Sequence, residues 1–130
     1  MKHKLSPLIA TIFLAFIAPV ASAQQANCTG WISVDRTVKT AFWESVEVEV
    51  ISTCIKAGAD VNARNEYGQT PLQLAATYTD SPAVITALIK AGANGAAAND
   101  HGKTPFDLAK ENDAIKGSDA YWALNDARFK

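Results

Sequence analysis

The chain has 130 residues, 48% of them apolar, with 12 lysines and arginines against 13 aspartates and glutamates and a formal net charge of −1. That balance excludes intrinsic disorder, which needs few apolar residues and a large net charge, and it leaves no basic excess to attract nucleic acid or an anionic membrane. Two cysteines are too few for a disulfide-rich scaffold or a cysteine-rich zinc module, so one small domain is expected.

Lys2 and Lys4 open the chain, and Leu8 to Ala18 is an apolar run of 11 residues broken only by Thr11. Ala21-Ser22-Ala23 then supplies a small-x-small cleavage site. Residues 1–23 therefore read as a secretory signal peptide cut after Ala23. An uncleaved anchor is the rival reading, but the run falls short of the about 20 apolar residues that a membrane span needs. Gln25-Ala26-Asn27 ahead of Cys28 lacks the apolar and small residues of a lipid-modified cysteine. The two lysines leave with the leader, so residues 24–130 carry 10 basic and 13 acidic side chains. A periplasmic or secreted location follows, with no stable membrane insertion after cleavage.

An oxidising compartment tends to join two cysteines that have no other partner. A Cys28–Cys54 disulfide would close a loop of about 25 residues, a constraint worth roughly 3–4 kcal/mol. The alternative leaves Cys54 as an ordinary buried residue on an apolar helix face and Cys28 in a loose N-terminal arm.

Thr37 to Ser45 is the first candidate helix, with Phe42 and Trp43 placed to cover a core and Trp31 to pack nearby. A second runs from about Glu47 to Lys56, with Val50, Ile51, Cys54 and Ile55 on its buried side and Gly58 as its stop. The polar, turn-rich stretch Ala59 to Gln69 is too short for another helix and suits a projecting hairpin. Thr70, Pro71 and Gln73 form a helix start: the Thr hydroxyl caps, Pro fits the first helical position, and Gln closes a capping box. Leu72, Leu74, Ala75 and Ala76 continue that helix with a face of small side chains. Pro82 opens the next helix, capped by Asp80 or Ser81, with Val84, Ile85, Leu88 and Ile89 as its apolar stripe and Gly92 as its stop. Ser118 starts a final helix with Tyr121, Trp122 and Leu124.

These elements repeat. A shift of 34 positions matches 14 of the 26 residues from Val50 to Ala75, where composition alone would give about two. Ile55-Lys56-Ala57-Gly58-Ala59 returns as Ile89-Lys90-Ala91-Gly92-Ala93, and Gly68…Thr70-Pro71…Leu74-Ala75 as Gly102…Thr104-Pro105…Leu108-Ala109. A period of this size signals stacked supersecondary units.

Ala57-Gly58-Ala59-Asp60-Val61-Asn62-Ala63-Arg64 and Gly68-Gln69-Thr70-Pro71-Leu72-Gln73-Leu74-Ala75-Ala76 resemble the ankyrin-repeat family nearly residue by residue. Gln73 and Asp107 stand where the family usually has histidine, Ala93 to Ala98 is a weakened copy of the first junction, and Thr77 to Ser81 is one residue longer than the usual pattern. The layout is also similar to short exported bacterial ankyrin-repeat proteins. The resemblance implies an all-α solenoid of about three helix-turn-helix units with short hairpin loops and divergent terminal caps. The expected units are residues 24–64, 65–98 and 99–130, the first and last serving as caps. Trp122, which falls 34 positions after Leu88, is expected to plug the last layer.

Chemistry is nearly absent from the pattern. His101, the one histidine of residues 24–130, lies between Asp100 and Gly102 at an expected hairpin tip, with no nucleophile or oriented base beside it. Metal sites need three or four convergent ligands, and Asp60, Asn62 and Asn65 lack the length and terminal Glu of a calcium loop. There is no phosphate-binding glycine loop and no nucleophile elbow. Asn27-Cys28-Thr29 formally fits a glycosylation acceptor, discounted here because of the bacterial resemblance. No catalytic residue, metal or cofactor is therefore expected.

In the ankyrin family, partners dock on the concave side formed by hairpin tips and first helices. Carried onto this sequence, the resemblance implies protein-binding positions at Glu66, Tyr67, Gln69, Thr77 and Tyr78, and in the next unit at Asp100, His101, Lys103, Glu111 and Asn112. The functional expectation is an exported, non-enzymatic module that binds a protein. The alternatives are a protective or stabilising factor for an envelope enzyme, a secreted effector or toxin-neutralising protein, and a small hydrolase dependent on His101. A monomer is the expected state.

Overall fold

The computed structural model describes residues 28–130. The expected leader, its cleavage after Ala23 and the start of the first unit lie outside the described residues. Six helices make up the regular structure among the described residues: α1 (Arg36–Ser45), α2 (Val48–Lys56), α3 (Pro71–Tyr78), α4 (Pro82–Lys90), α5 (Pro105–Ala109) and α6 (Asp119–Ala127). No strand occurs among the described residues. First helices stack on first helices, α1 on α3 on α5, and second helices on second helices, α2 on α4 on α6. This is the all-helical stack of paired helices that the resemblance implies.

Each helix starts and stops for local reasons. Thr70 caps α3 through its hydroxyl, which accepts the Gln73 N–H at 3.3 Å, while the Gln73 side chain accepts the Thr70 N–H at 3.1 Å. Thr104 and Asp107 repeat that reciprocal arrangement at α5. The Asp35 carboxylate caps α1 by accepting from Thr37 and Val38. Ser81 takes the N-cap position of α4 but makes no side-chain cap bond. Its own N–H donates instead to Thr79 Oγ1 at 3.1 Å, and Thr79 is buried. At the other ends, α2 and α4 close identically. Gly58 (φ 101°) donates to the Ile55 carbonyl and Ala59 to that of Cys54, while Gly92 (φ 98°) and Ala93 do the same to Ile89 and Leu88. Left-handed backbone at this position is what glycine tolerates best.

The core is one continuous cluster. Leu72, Leu74, Ala75 and Ala76 of α3 and Val84, Ile85 and Leu88 of α4 are buried between the flanking pairs. Ile51 and Cys54 of α2 extend the cluster towards the N-terminus, where Trp31 and Trp43 pack with ring centroids 5.7 Å apart. The Trp31 indole N–H donates to the Asp60 carbonyl at 2.9 Å, tying the N-terminal segment to the first hairpin. Cys28 and Cys54 form the disulfide that fixes this segment to α2, across a sequence separation of 26.

The last layer departs from the expected register. Buried Ala120, Tyr121 and Leu124 of α6 stand where Val84, Ile85 and Leu88 stand in α4, an offset of 36 rather than 34. Two extra residues in the connection between α5 and α6 rotate the helix accordingly. Trp122 is therefore 56% exposed and does not plug the last layer. Tyr121 does that instead, with its ring centroid 4.8 Å from that of Phe106. The altered junction at Ala93 to Ala98 has a related cause. A Cβ on Gly95 would lie 2.5 Å from Ala127 Cβ and 2.8 Å from its carbonyl carbon, so the end of α6 requires glycine where the first hairpin has Val61.

Opening the Cys28–Cys54 disulfide with reductant should lower the melting temperature by more than about 10 °C, given roughly 3–4 kcal/mol for a loop of this length. An unchanged melting curve would show that the N-terminal segment adds nothing to the stack.

Candidate functional site

The hairpin between α2 and α3 and the one between α4 and α5 have the same internal wiring. Asn65 Oδ1 accepts the N–H groups of Tyr67 and Gln69, both at 3.0 Å. Asn99 Oδ1 accepts those of His101 and Lys103 at 2.9 and 3.0 Å. Backbone bonds from Asn65 to Gln69 and from Asn99 to Lys103 close each turn. A side-chain oxygen bonding the backbone ahead of it is the usual device for a tight polar turn.

The two hairpins are also bonded to each other. Asp100 N–H donates to the Tyr67 carbonyl at 3.2 Å. The Arg64 guanidinium donates to the Ala98 carbonyl at 2.9 Å. Asn62 donates through Nδ2 to the Gly92 carbonyl at 3.1 Å and accepts the Asn94 N–H at 2.8 Å. Deeper in the stack, Gln73 Nε2 donates to the Ala97 carbonyl at 2.7 Å. Gln73 thus closes its own capping box and fastens its repeat to the next hairpin. Asp107 occupies the same place at α5, where an acceptor alone completes the cap.

This wiring sorts the expected contact residues. Glu66, Tyr67, Asp100, His101 and Lys103 are exposed on the two adjacent tips, Tyr67 at 53%. Gln69 is half-buried and accepts from Asn65 Nδ2 and Lys39 Nζ. Thr77 is exposed, with its hydroxyl donating to the Gln73 carbonyl at 2.9 Å. Tyr78 is half-buried and packs against the core. Glu111 is exposed, but Asn112 is engaged within the stack: its Nδ2 donates to the carbonyls of Ala76 and Thr79 at 3.1 and 2.9 Å, satisfying the end of α3.

Sequence reasoning missed the roles of four side chains in this region. The paired turn-forming Asn65 and Asn99 carried a readable signal, since they recur at the repeat spacing. The reach of Gln73 into the next hairpin carried none. Lys39 of α1, whose Nζ lies under Tyr67 with the ring centroid at 5.9 Å, carried no signal in the sequence either.

Electrostatically the face is mixed. The Asp107 carboxyl is held below its ordinary value, chiefly by the Thr104 backbone N–H, with partial burial opposing and the Thr104 hydroxyl and Lys110 ammonium assisting. No group of three or more His, Cys, Asp or Glu side chains able to hold a metal is found among the described residues. A groove of about 440 Å³ lies along α1, lined by Val38, Ala41, Phe42, Val46 and Val50 with Thr29 and Ser45, none of them titratable. No described helix is long and apolar enough to cross a membrane.

Two outcomes are expected. Gln73→Ala removes the capping box and the bond to Ala97 together and should cost about 2–3 kcal/mol in denaturant unfolding; a loss within error of zero would remove Gln73 as the fastener. Asp107 contributes stability that is complete above its unfolded value of about 3.9 and is lost as pH falls through the lower folded value. Asp107→Asn should therefore flatten the fall in melting temperature on acidification below about pH 4, and an unaltered slope would contradict the assignment.

Residues 55–109 match the family model described as ankyrin repeats (many copies). No curated protein matches the chain. Ankyrin-repeat domains are generally non-catalytic modules that bind proteins. The match and the stacked helix pairs coincide, and residues 55–109 are similar to ankyrin repeats.

Proposed function

We propose that this chain is an exported, non-enzymatic module that grips a protein partner with its hairpin tips and the exposed faces of its first helices. The observation that carries the reading is the pair of tips held in fixed relation by the bond from Asp100 N–H to the Tyr67 carbonyl. Loops fixed on a rigid scaffold lose little entropy on binding, which is how a small surface reaches useful affinity. Tyr67 offers a large, half-exposed ring, and Glu66, Asp100, His101 and Lys103 surround it with polar groups of both signs. That combination suits protein recognition, because tyrosine supplies contact area at low entropic cost. Export is supported by the leader-like residues 1–23 and by the Cys28–Cys54 disulfide, a bond that persists in oxidising compartments.

Affinity capture from envelope extract tests this directly. A Tyr67→Ala/Lys103→Glu variant should fold with a melting temperature close to that of the parent and recover about tenfold less of the bound protein. Lys90→Glu, at the end of α4, should recover it undiminished. Equal recovery by all three proteins would place the contact surface elsewhere.

A further inference from the structure

We infer that Lys39 is the centre of an anion-binding subsite on this face, built to take a carboxylate from an acidic segment of the bound protein. The inference rests on the partner-binding reading of the hairpin tips and names the chemistry they select.

Lys39 is only 7% exposed, yet among the described residues its charge faces no counter-ion. The one ion pair among the described residues joins Lys110 to Asp107 at 3.4 Å, far along the stack. Lys39 Nζ makes a single hydrogen bond, 3.3 Å to Gln69 Oε1. That oxygen already accepts from Asn65 Nδ2 at the shorter distance of 3.0 Å. An ammonium has three donors, so two remain without an acceptor from the described residues. The Tyr67 ring at 5.9 Å adds a weak cation–π contact, which does not replace a negative charge.

A buried ammonium without a carboxylate weakens a fold, and an unbranched apolar side chain of similar length would pack there at lower cost. Such a residue is accounted for when a ligand completes it, since binding sites are where local stability is commonly sacrificed. The amine is held at the border of the exposed tip: its neighbours Tyr67 and Gln69 belong to the hairpin, and Tyr67 is half out in solvent. A carboxylate arriving between these two side chains would accept from the free ammonium donors in a charge-assisted bond.

Lys103 is the repeat counterpart of Gln69, 34 positions on, and is exposed. It sets a second cation one layer further along, about 10 Å away if the layers keep ordinary helix spacing. Two cations at that separation fit a short run of Asp or Glu side chains.

The test is an NMR titration of the disulfide-bonded full chain with an acetylated, amidated tetraglutamate peptide, against tetraglutamine as control. The subsite predicts saturable shifts at the Gln69 side-chain amide and the Tyr67 backbone amide with tetraglutamate only. Lys39→Met should weaken that binding about tenfold or more, while Lys39→Arg retains it. Lys39→Met should also melt at or above the parent temperature, because no internal ion pair is lost. Absent shifts, equal shifts with tetraglutamine, undiminished binding by Lys39→Met, or a Lys39→Met variant that melts lower or fails to fold would each overturn the inference. If tetraglutamate fails while Tyr67→Ala/Lys103→Glu still loses its captured protein, the subsite alone falls. If both fail, the contact face is misplaced.

Discussion

Burial of the α3–α4 pair between its neighbours is the interaction on which the rest of the molecule depends. Leu72, Leu74, Ala75 and Ala76 on one helix and Val84, Ile85 and Leu88 on the other leave almost no apolar surface open to water. Each of the large side chains contributes on the order of 1.5–3 kcal/mol when fully buried, and none could be buried by a single helix pair alone. The small residues of α3 allow α1 and α5 to approach it from either side. A stack of this kind is stabilised by neighbour contacts, so its end layers need separate means of closure. The N-terminal end uses Trp31, Trp43 and the disulfide to Cys54; the C-terminal end uses Phe106 and Tyr121.

Polar groups set the spacing of what apolar burial brings together. Gln73, Asn62 and Arg64 each reach from one repeat to a backbone carbonyl of the next hairpin, and Asn112 reaches back to the end of α3. Because these bonds run to the backbone, they fix the hairpins without using the side chains displayed on the tips. Tyr67, His101 and Lys103 remain exposed for that reason. Stability and recognition therefore occupy different atoms of the same hairpins, and Lys39 is the exception, a core-lining residue whose charge points to a ligand.

Much of the fold was legible because its rules are local. The 34-residue period, the Thr-Pro-x-Gln helix start and the Ala-Gly-Ala helix stop each reflect backbone requirements that few residues meet, so they mark α2 to α5 closely. The cysteine pair was legible for a similar reason, there being only one way to pair two cysteines. The last layer was not, because the loop between α5 and α6 carries no apolar period and its two extra residues are invisible until Leu124 is seen in the place of Leu88. Trp122 was misread by carrying the 34-residue period through that loop. Asn112 and Lys39 show a second limit: an amide or an ammonium has the same sequence signature whether it faces water, a carbonyl of the preceding repeat, or the underside of a tyrosine ring.

Native-state hydrogen exchange of the disulfide-bonded protein tests most directly whether the layers stand only by leaning on each other. The account predicts that amides of α3 and α4 are the slowest to exchange and share one opening free energy, equal to that of global unfolding. Protection confined to α1 and α2 beside the disulfide, with α3 and α4 exchanging as an unfolded chain does, would contradict it.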